Sequence, residues 1–149
     1  MLNTFIMIVR IPFKVVELEN HSYHIVVNGR IDGTSITFII DTGASRTIID
    51  KCYADKLIKI TNMSEEPIAT GLNAEQIPVE QYKIPVLKLE KIKFKNIQSL
   101  TADLTPINEV YSKLTGKRIG GLIGCDFLLK HVKRINFKKK YLTVSVKKK

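Results

Sequence analysis

The sequence lacks the cysteine content of a disulfide-stabilised or zinc-binding domain. Its 149 residues include two cysteines, Cys52 and Cys125, which stand 73 positions apart without a C-x-x-C partner. This spacing favours neither a disulfide framework nor a zinc knuckle. We therefore predict reduced, buried thiols.

Long hydrophobic runs are also missing. The longest apolar stretches, such as residues 5–9 and 38–40, are far shorter than the ~20 residues that cross a bilayer. Residues 1–9 lack a basic leader and a small-residue cleavage site, so a secretory signal is a poor interpretation. The sequence predicts no membrane span and, with it, a cytoplasmic protein.

The overall composition is that of a folded protein. Apolar residues make up 44% of the chain and charged residues 26%, with a mean hydropathy of +0.01, which excludes disorder and fibre. No internal repeat or Pro/Ser-rich linker divides the chain. We predict a single domain over residues 1–149.

The net positive charge is concentrated at the C-terminal end. The net charge is +10, but residues 130–149 hold eight lysines and Arg134 without any acid, while the remainder is close to neutral. Phosphate backbones or anionic lipids could bind such a region. Because the segment alternates like strands, and lysines beside edge strands limit aggregation, we predict a solvated edge and no specific nucleic-acid partner.

Hydrophobic patterning predicts a mostly β protein with two or three short helices. Two turns, Asn28-Gly29 and Asp32-Gly33, are expected near the first strands. A proline after Thr105 predicts that Thr105 caps a helix, which Gly116 ends. The predicted strands are residues 14–19, 22–27, 36–40, a hairpin within 79–100, 132–137 and 141–146; the helical segments are 50–58, 106–115 and 126–130, and residues 63–76 form a loop.

The most informative segment is an apolar run that delivers an acid into a turn of small residues. Residues 38–40 are Phe-Ile-Ile, and Asp41-Thr42-Gly43-Ala44-Ser45 follow them. A carboxylate at the end of a buried strand is costly unless it is paired or hydrogen-bonded, and glycine lets backbone N–H groups point at it. A bare D-T-G could equally be a strand-end Asx turn.

A second segment changes the balance between these interpretations. Residues 121–128 read Gly-Leu-Ile-Gly-Cys-Asp-Phe-Leu, two apolar residues and a glycine leading into a short helix. This order of segments resembles the retropepsin-like aspartic protease family.

The resemblance implies a closed β-barrel, the acid protease fold, in which Asp41 is the catalytic aspartate. Thr42 would brace the pair of active-site loops, and the segment matching the second motif would thread beneath the Asp loop. Gly71, the single glycine between Ser45 and Gly116, would belong to the flap. The full set of implied supporting residues is Thr42, Gly43, Ala44, Ser45, Leu122, Ile123 and Gly124.

Peptide hydrolysis by carboxylates requires two of them sharing one proton, and this chain offers one D-T-G. Asp32 reads as a solvated hairpin residue and Asp126 as a helix N-cap. We therefore predict a homodimer with two Asp41 side chains at the two-fold axis, acting on peptide or protein substrates without a cofactor.

Other site types are less well supported. His21 and His24 lack nearby third and fourth ligands, so no metal site is predicted. Arg46 departs from the family pattern by placing a large cation near the expected cleft edge. The alternative function is a non-catalytic peptide-binding or dimerisation module that retains the fold.

Overall fold

The computed structural model describes residues 5–60, 68–70, 76–78 and 80–148. The described strands are β1 Phe5–Pro12, β2 Lys14–Glu17, β3 Tyr23–Ile31, β4 Thr34–Ile40, β5 Ile48–Asp50, β6 Ile58–Lys59, β7 Ile68–Thr70, β8 Gln76–Pro78, β9 Glu80–Leu89, β10 Ile92–Ala102, β11 Gly121–Ile123, β12 Val132–Asn136 and β13 Tyr141–Lys148. The helices in the same ranges are α1 Thr105–Thr115 and α2 Cys125–His131, with 3₁₀ segments at Glu19–His21 and Lys51–Lys56.

The largest sheet closes on itself. Its strands follow the order β2-β3-β4-β11-β5-β10-β9-β6, and a further pairing of β3 with β9 closes six of them into a barrel. Closure gives these six strands hydrogen-bonded neighbours on both sides. The predicted mostly β, closed-barrel fold is confirmed.

Alternating apolar residues fill the barrel interior. In the β9–β10 hairpin, Ile84, Leu87 and Leu89 are fully buried, and Phe94 is 5% exposed. Lysines occupy positions between these apolar residues, as expected for strands with one buried face. The predicted hairpin is confirmed.

Phe38 occupies the centre of the core and depends on two glycines. Its ring lies so close to the backbone of β3 and β11 that an added Cβ would approach it to 2.6 Å at both Gly29 and Gly121. Gly29 is therefore a strand residue that makes room for an aromatic ring, and the predicted Asn28-Gly29 turn is wrong. The chain reverses instead at Asp32-Gly33, where both φ angles are positive, +49° and +77°.

Two other local predictions are wrong in part. Within the predicted loop 63–76, β7 pairs antiparallel with β8, which extends the sheet content of that region. The predicted helical segment 50–58 contains the 3₁₀ helix Lys51–Lys56, flanked by strands. The 3₁₀ helix begins after Asp50, whose side chain accepts from the Cys52 N–H at 3.3 Å.

Helix α1 starts one residue earlier than predicted. Leu104 occupies its N-cap position, and the Thr105 hydroxyl donates to Asp103 Oδ1 at 2.6 Å instead of capping the helix. Gly116, with φ +70°, ends the helix as predicted. None of the helices in the described ranges is long and apolar enough to span a membrane.

The two ends of the described chain form a separate three-stranded sheet. Its order is β1-β13-β12, and β12 and β13 meet at the predicted lysine turn 138–140. Strand β1 pairs along its whole length with β13, from Phe5 opposite Lys148 to Pro12 opposite Tyr141. Basic strands at the C-terminal end are thus paired structural elements.

Candidate active site

Strand β4 carries Asp41 out of the barrel core. Phe38, Ile39 and Ile40 are all buried, whereas Asp41 is half-buried. Its carboxylate Oδ1 accepts a hydrogen bond from the Gly43 N–H at 2.9 Å, and the Ala44 N–H donates to the Asp41 carbonyl at 3.1 Å. The turn therefore fixes the carboxylate at the strand end through backbone donors.

Strand β11 runs beside this turn. It pairs parallel to β4, with Leu122 opposite Ile39 and Ile123 opposite Ile40. The Asp41 N–H donates to the Ile123 carbonyl at 2.9 Å, so the β4–β11 pairing continues up to the acid itself. Two segments 83 residues apart in the chain are thereby held together beside the carboxylate.

The start of helix α2 is bonded to the same loop. The Cys125 N–H donates to the Ala44 carbonyl at 2.8 Å, and the Cys125 thiol lies 3.1 Å from the Thr42 carbonyl oxygen. At Gly124 the backbones are so close that an added Cβ would lie 2.5 Å from the Arg46 carbonyl oxygen. The structure thus brings together all seven predicted supporting residues, while Gly71 lies outside the described residues.

Thr47 links the two segments from within and was missed by the sequence analysis. It is fully buried. Its hydroxyl donates to Asp126 Oδ1 at 2.8 Å and accepts from the Gly124 N–H at 3.2 Å, while its own N–H also donates to Asp126 Oδ1 at 2.9 Å. Thr47 makes hydrogen bonds to both segments, and this role can be recognised only when the two segments are seen to be adjacent in space.

Asp126 is not the N-cap of α2, so that prediction is wrong. Its Oδ1 does accept from the Phe127 N–H at 2.8 Å, but Gly124 holds the N-cap position of α2. Its other oxygen lies 3.6 Å from Arg46 Nε. The carboxylate of Asp126 is occupied by hydrogen bonds within the loop framework, and Asp32 lies in its predicted exposed turn. Asp41 is therefore the acid that the active-site turn presents.

The predicted burial of the cysteines is wrong. Both are free thiols, but Cys52 is exposed and Cys125 is half-buried. Local desolvation and the neighbouring Asp50 carboxylate raise the pKa of the Cys52 thiol, which disfavours the thiolate that a nucleophile would need. The described residues contain no cluster of three or more potential metal ligands.

An ion pair between the buried Asp50 and the exposed Arg118 supports β5 and was also missed. Asp50, 2% exposed, accepts from Arg118 at 2.8 Å. This hydrogen bond is the main reason that the pKa of Arg118 is raised. Because Arg118 directly precedes the buried Ile119, the pair fixes the chain that enters β11.

An aromatic cluster packs between α2 and β10. The His131 ring lies 5.0 Å from the Phe94 ring and 4.6 Å from the Phe127 ring, between centroids. Burial among these rings, with a smaller contribution from the charge of Lys130, lowers the pKa of His131 below its ordinary value of 6.5. The imidazole is therefore neutral in the folded protein at neutral pH.

This histidine predicts an acid-sensitive component of stability. A base whose folded pKa is lowered takes up its proton more readily when unfolded, so the free energy of unfolding should fall as the pH drops below 6.5. His131→Phe should remove that component in urea denaturation curves recorded from about pH 7 to about pH 5. An imidazole signal in NMR that titrates at or above 6.5 would contradict the prediction.

Comparison with known proteins agrees with this geometry. Residues 27–127 match a protein family described as aspartyl protease, a range that contains both the Asp41 turn and the β11–α2 segment. The chain belongs to the aspartyl protease family. A search of curated protein sequences found no match.

A solved structure gives the fold of this aspartyl protease family member. The chain resembles a retropepsin-like aspartic protease from Rickettsia conorii, with a TM-score of 0.52 and 18% sequence identity over 100% of this chain and 98% of the other. The fold is retropepsin-like, as the sequence predicted. In this member of the aspartyl protease family, D-T-G occurs once.

Proposed function

We propose that this protein is an aspartic endopeptidase that hydrolyses peptide bonds with a water molecule activated between the two Asp41 carboxylates of a homodimer. The observation that carries the proposal is the Asp41 turn, in which the carboxylate leaves a buried strand and accepts the Gly43 N–H at 2.9 Å. Membership of the aspartyl protease family over residues 27–127 supports it. Peptides or proteins are the substrates.

The chemistry follows from two carboxylates that share one proton. The ionised carboxylate takes a proton from a water molecule, whose oxygen attacks the peptide carbonyl carbon, while the protonated one donates towards the carbonyl oxygen. Collapse of the resulting intermediate breaks the C–N bond. The leaving nitrogen takes the proton that the first carboxylate removed from water, and the second carboxylate takes one hydroxyl proton back from the intermediate. Each chain supplies one Asp41, so one active site requires two chains.

The exposure of the turn supports a dimeric active form. Thr42, Gly43 and Ser45 are exposed in the single chain although they stand directly beside a half-buried acid. In the proposed dimer, Thr42 braces the two loops across the axis, and Gly43 holds the carboxylate by its N–H. Leu122, Ile123 and Gly124 support the loop from below.

Dilution tests this assembly. Because each active site requires two chains, specific activity should fall on dilution in step with the fraction of dimer. The measurement is peptide cleavage at a series of protein concentrations, with the mass distribution measured at the same concentrations. Full specific activity at a concentration where the protein is monomeric would refute the dimeric mechanism.

A further inference from the structure

A polar groove opens beside the active-site loop, on the side of helix α2. Its volume is about 260 Å³, and β10, α2 and the end of the loop line it. The polar and charged groups in its walls are Arg46, Asn96, Gln98, Asp126, Lys130 and His131.

The groove has an excess of positive charge. Arg46 Nε faces Asp126 Oδ2 at 3.6 Å, but the other oxygen of Asp126 already accepts three hydrogen bonds from Thr47 and Phe127. Lys130 is exposed, and no carboxylate of the described residues lies within 4.0 Å of its ammonium group. One acid therefore faces two cations.

The remaining walls suit a small anion. Asn96 and Gln98 are exposed on β10 and present amide groups that can donate hydrogen bonds. A groove of about 260 Å³ is smaller than the roughly 300–1,000 Å³ of sites for drug-sized ligands. A carboxylate on a short side chain matches this size, and the fork of an arginine suits it geometrically.

The groove is rigidly connected to the proposed catalytic turn. Arg46 lies five residues after Asp41, and the Cys125 N–H binds the Ala44 carbonyl of the same loop at 2.8 Å. Arg46 and Asp126 thus belong both to the groove and to the framework that holds the turn. A group bound here sits at a fixed position relative to the proposed site of hydrolysis.

We propose that this groove binds an acidic side chain of the peptide substrate, with Arg46 and Lys130 contacting its carboxylate. The proposal rests on the proposed function and specifies its substrate class: peptides that carry glutamate or aspartate in the segment flanking the cleaved bond. Arg46 selects this class and positions the peptide.

The test measures binding without cleavage, so that it is independent of catalysis. Protein carrying Asp41→Asn is titrated with the blocked peptide acetyl-Ala-Ala-Glu-Glu-Ala-Ala-amide and with its Gln-Gln counterpart, and backbone amide shifts are followed by NMR. The Glu-Glu peptide should shift the amides of Arg46, Asn96 and Lys130 and bind at least about tenfold more tightly, a difference that salt weakens.

Matched variants test whether Arg46 and Lys130 cause the preference for the Glu-Glu peptide. Arg46→Gln and Lys130→Gln should each weaken the Glu-Glu peptide about three- to tenfold, the range expected for one charged contact, and leave the Gln-Gln peptide unchanged. Lys133→Gln, an equivalent change at an exposed lysine outside the groove, should have no effect. Because Lys130 is exposed, its variant is a test that does not disturb the Asp126 network.

Three results would overturn the proposal. Equal affinity for the two peptides would remove the carboxylate preference. An equal loss in Lys133→Gln would indicate general attraction to a basic surface. Shifts of the groove amides by inorganic phosphate, without shifts by the Glu-Glu peptide, would indicate a free-anion site.

Discussion

Replacing Asp41 with asparagine is expected to reduce peptide cleavage at least ~1,000-fold while the protein still folds. Asparagine has the same shape and its side-chain oxygen can still accept the Gly43 N–H, a bond of 2.9 Å in this structure. It has no ionisable group, however, so it can neither take the proton from water nor share one with its partner. Proton transfer by a positioned side chain contributes about 10²–10⁴-fold, and this change removes both members of the pair.

The measurement is cleavage of a mixed peptide library across pH, with a pepstatin-type transition-state mimic as a reference inhibitor. Wild-type activity should prefer acidic pH, because one carboxylate of the pair must hold a proton. Asp32→Asn is the matched control: it makes the same chemical change in an exposed turn, at a φ of +49° that asparagine tolerates well. It should leave cleavage unchanged.

The outcomes separate the two candidate functions. Equal cleavage by wild type and Asp41→Asn would show that Asp41 is not catalytic. Absence of cleavage by an intact wild-type dimer, across the library and the pH range, would favour the non-catalytic binding module.

Gly124→Ala is expected to destabilise the protein, because the added methyl group has no free space in the active-site framework. The new Cβ would lie 2.5 Å and 2.6 Å from the carbonyl oxygen and carbon of Arg46, and 2.9 Å from the Ala44 carbonyl oxygen. These are backbone atoms that cannot rotate away. The φ of −98° at Gly124 suits alanine, so crowding alone causes the effect, about 2–3 kcal/mol in the free energy of unfolding.

Gly43→Ala provides the contrast. Its Cβ would meet one neighbouring atom within 4 Å, Asp41 Oδ1 at 3.2 Å, so the change should cost less than about 1 kcal/mol of stability. Because that contact pushes directly on the carboxylate, cleavage should fall although the fold is retained. Urea denaturation and peptide cleavage, measured on both variants, give the comparison.

Gly124→Ala should therefore lose mainly stability, whereas Gly43→Ala should lose mainly peptide cleavage. If Gly124→Ala unfolds at the same urea concentration as wild type, the close approach of β11 and the Asp41 loop is not required for stability. If Gly43→Ala cleaves as fast as wild type, the position of the Asp41 carboxylate is less tightly constrained than the 2.9 Å hydrogen bond implies.

Local sequence was sufficient for several elements of the fold. The alternation of apolar residues with lysines predicted the β9–β10 hairpin, because every second side chain of a half-buried strand faces the core and must be apolar. Gly116 predicted the end of α1, since its φ of +70° favours glycine. The apolar run before Asp41 predicted a buried strand that ends at the acid. In each case a few neighbouring residues contain the physical cause.

Contacts between residues far apart in the sequence could be identified only from the tertiary structure. Gly29 reads as a turn residue, yet it lies inside β3 because the Phe38 ring, nine positions later, occupies the space of its missing side chain. Thr47 and Asp126 are 79 residues apart, and nothing near either of them predicts their hydrogen bonds. Arg46 was recognised as an unusual cation, but its pairing with Asp126 and the groove beside it depend on where α2 packs.

The sequence by itself determined the barrel strands β3, β4, β9 and β10, the turn that presents Asp41 and the resemblance to a family, because these depend on local patterns of polarity and on glycine at short range. Only the tertiary structure decided how β11 and α2 hold that turn. Closure of the barrel brings segments about 80 residues apart within hydrogen-bonding distance, and the resulting bonds at Thr47, Gly124 and Cys125 arise from packing rather than from either segment alone.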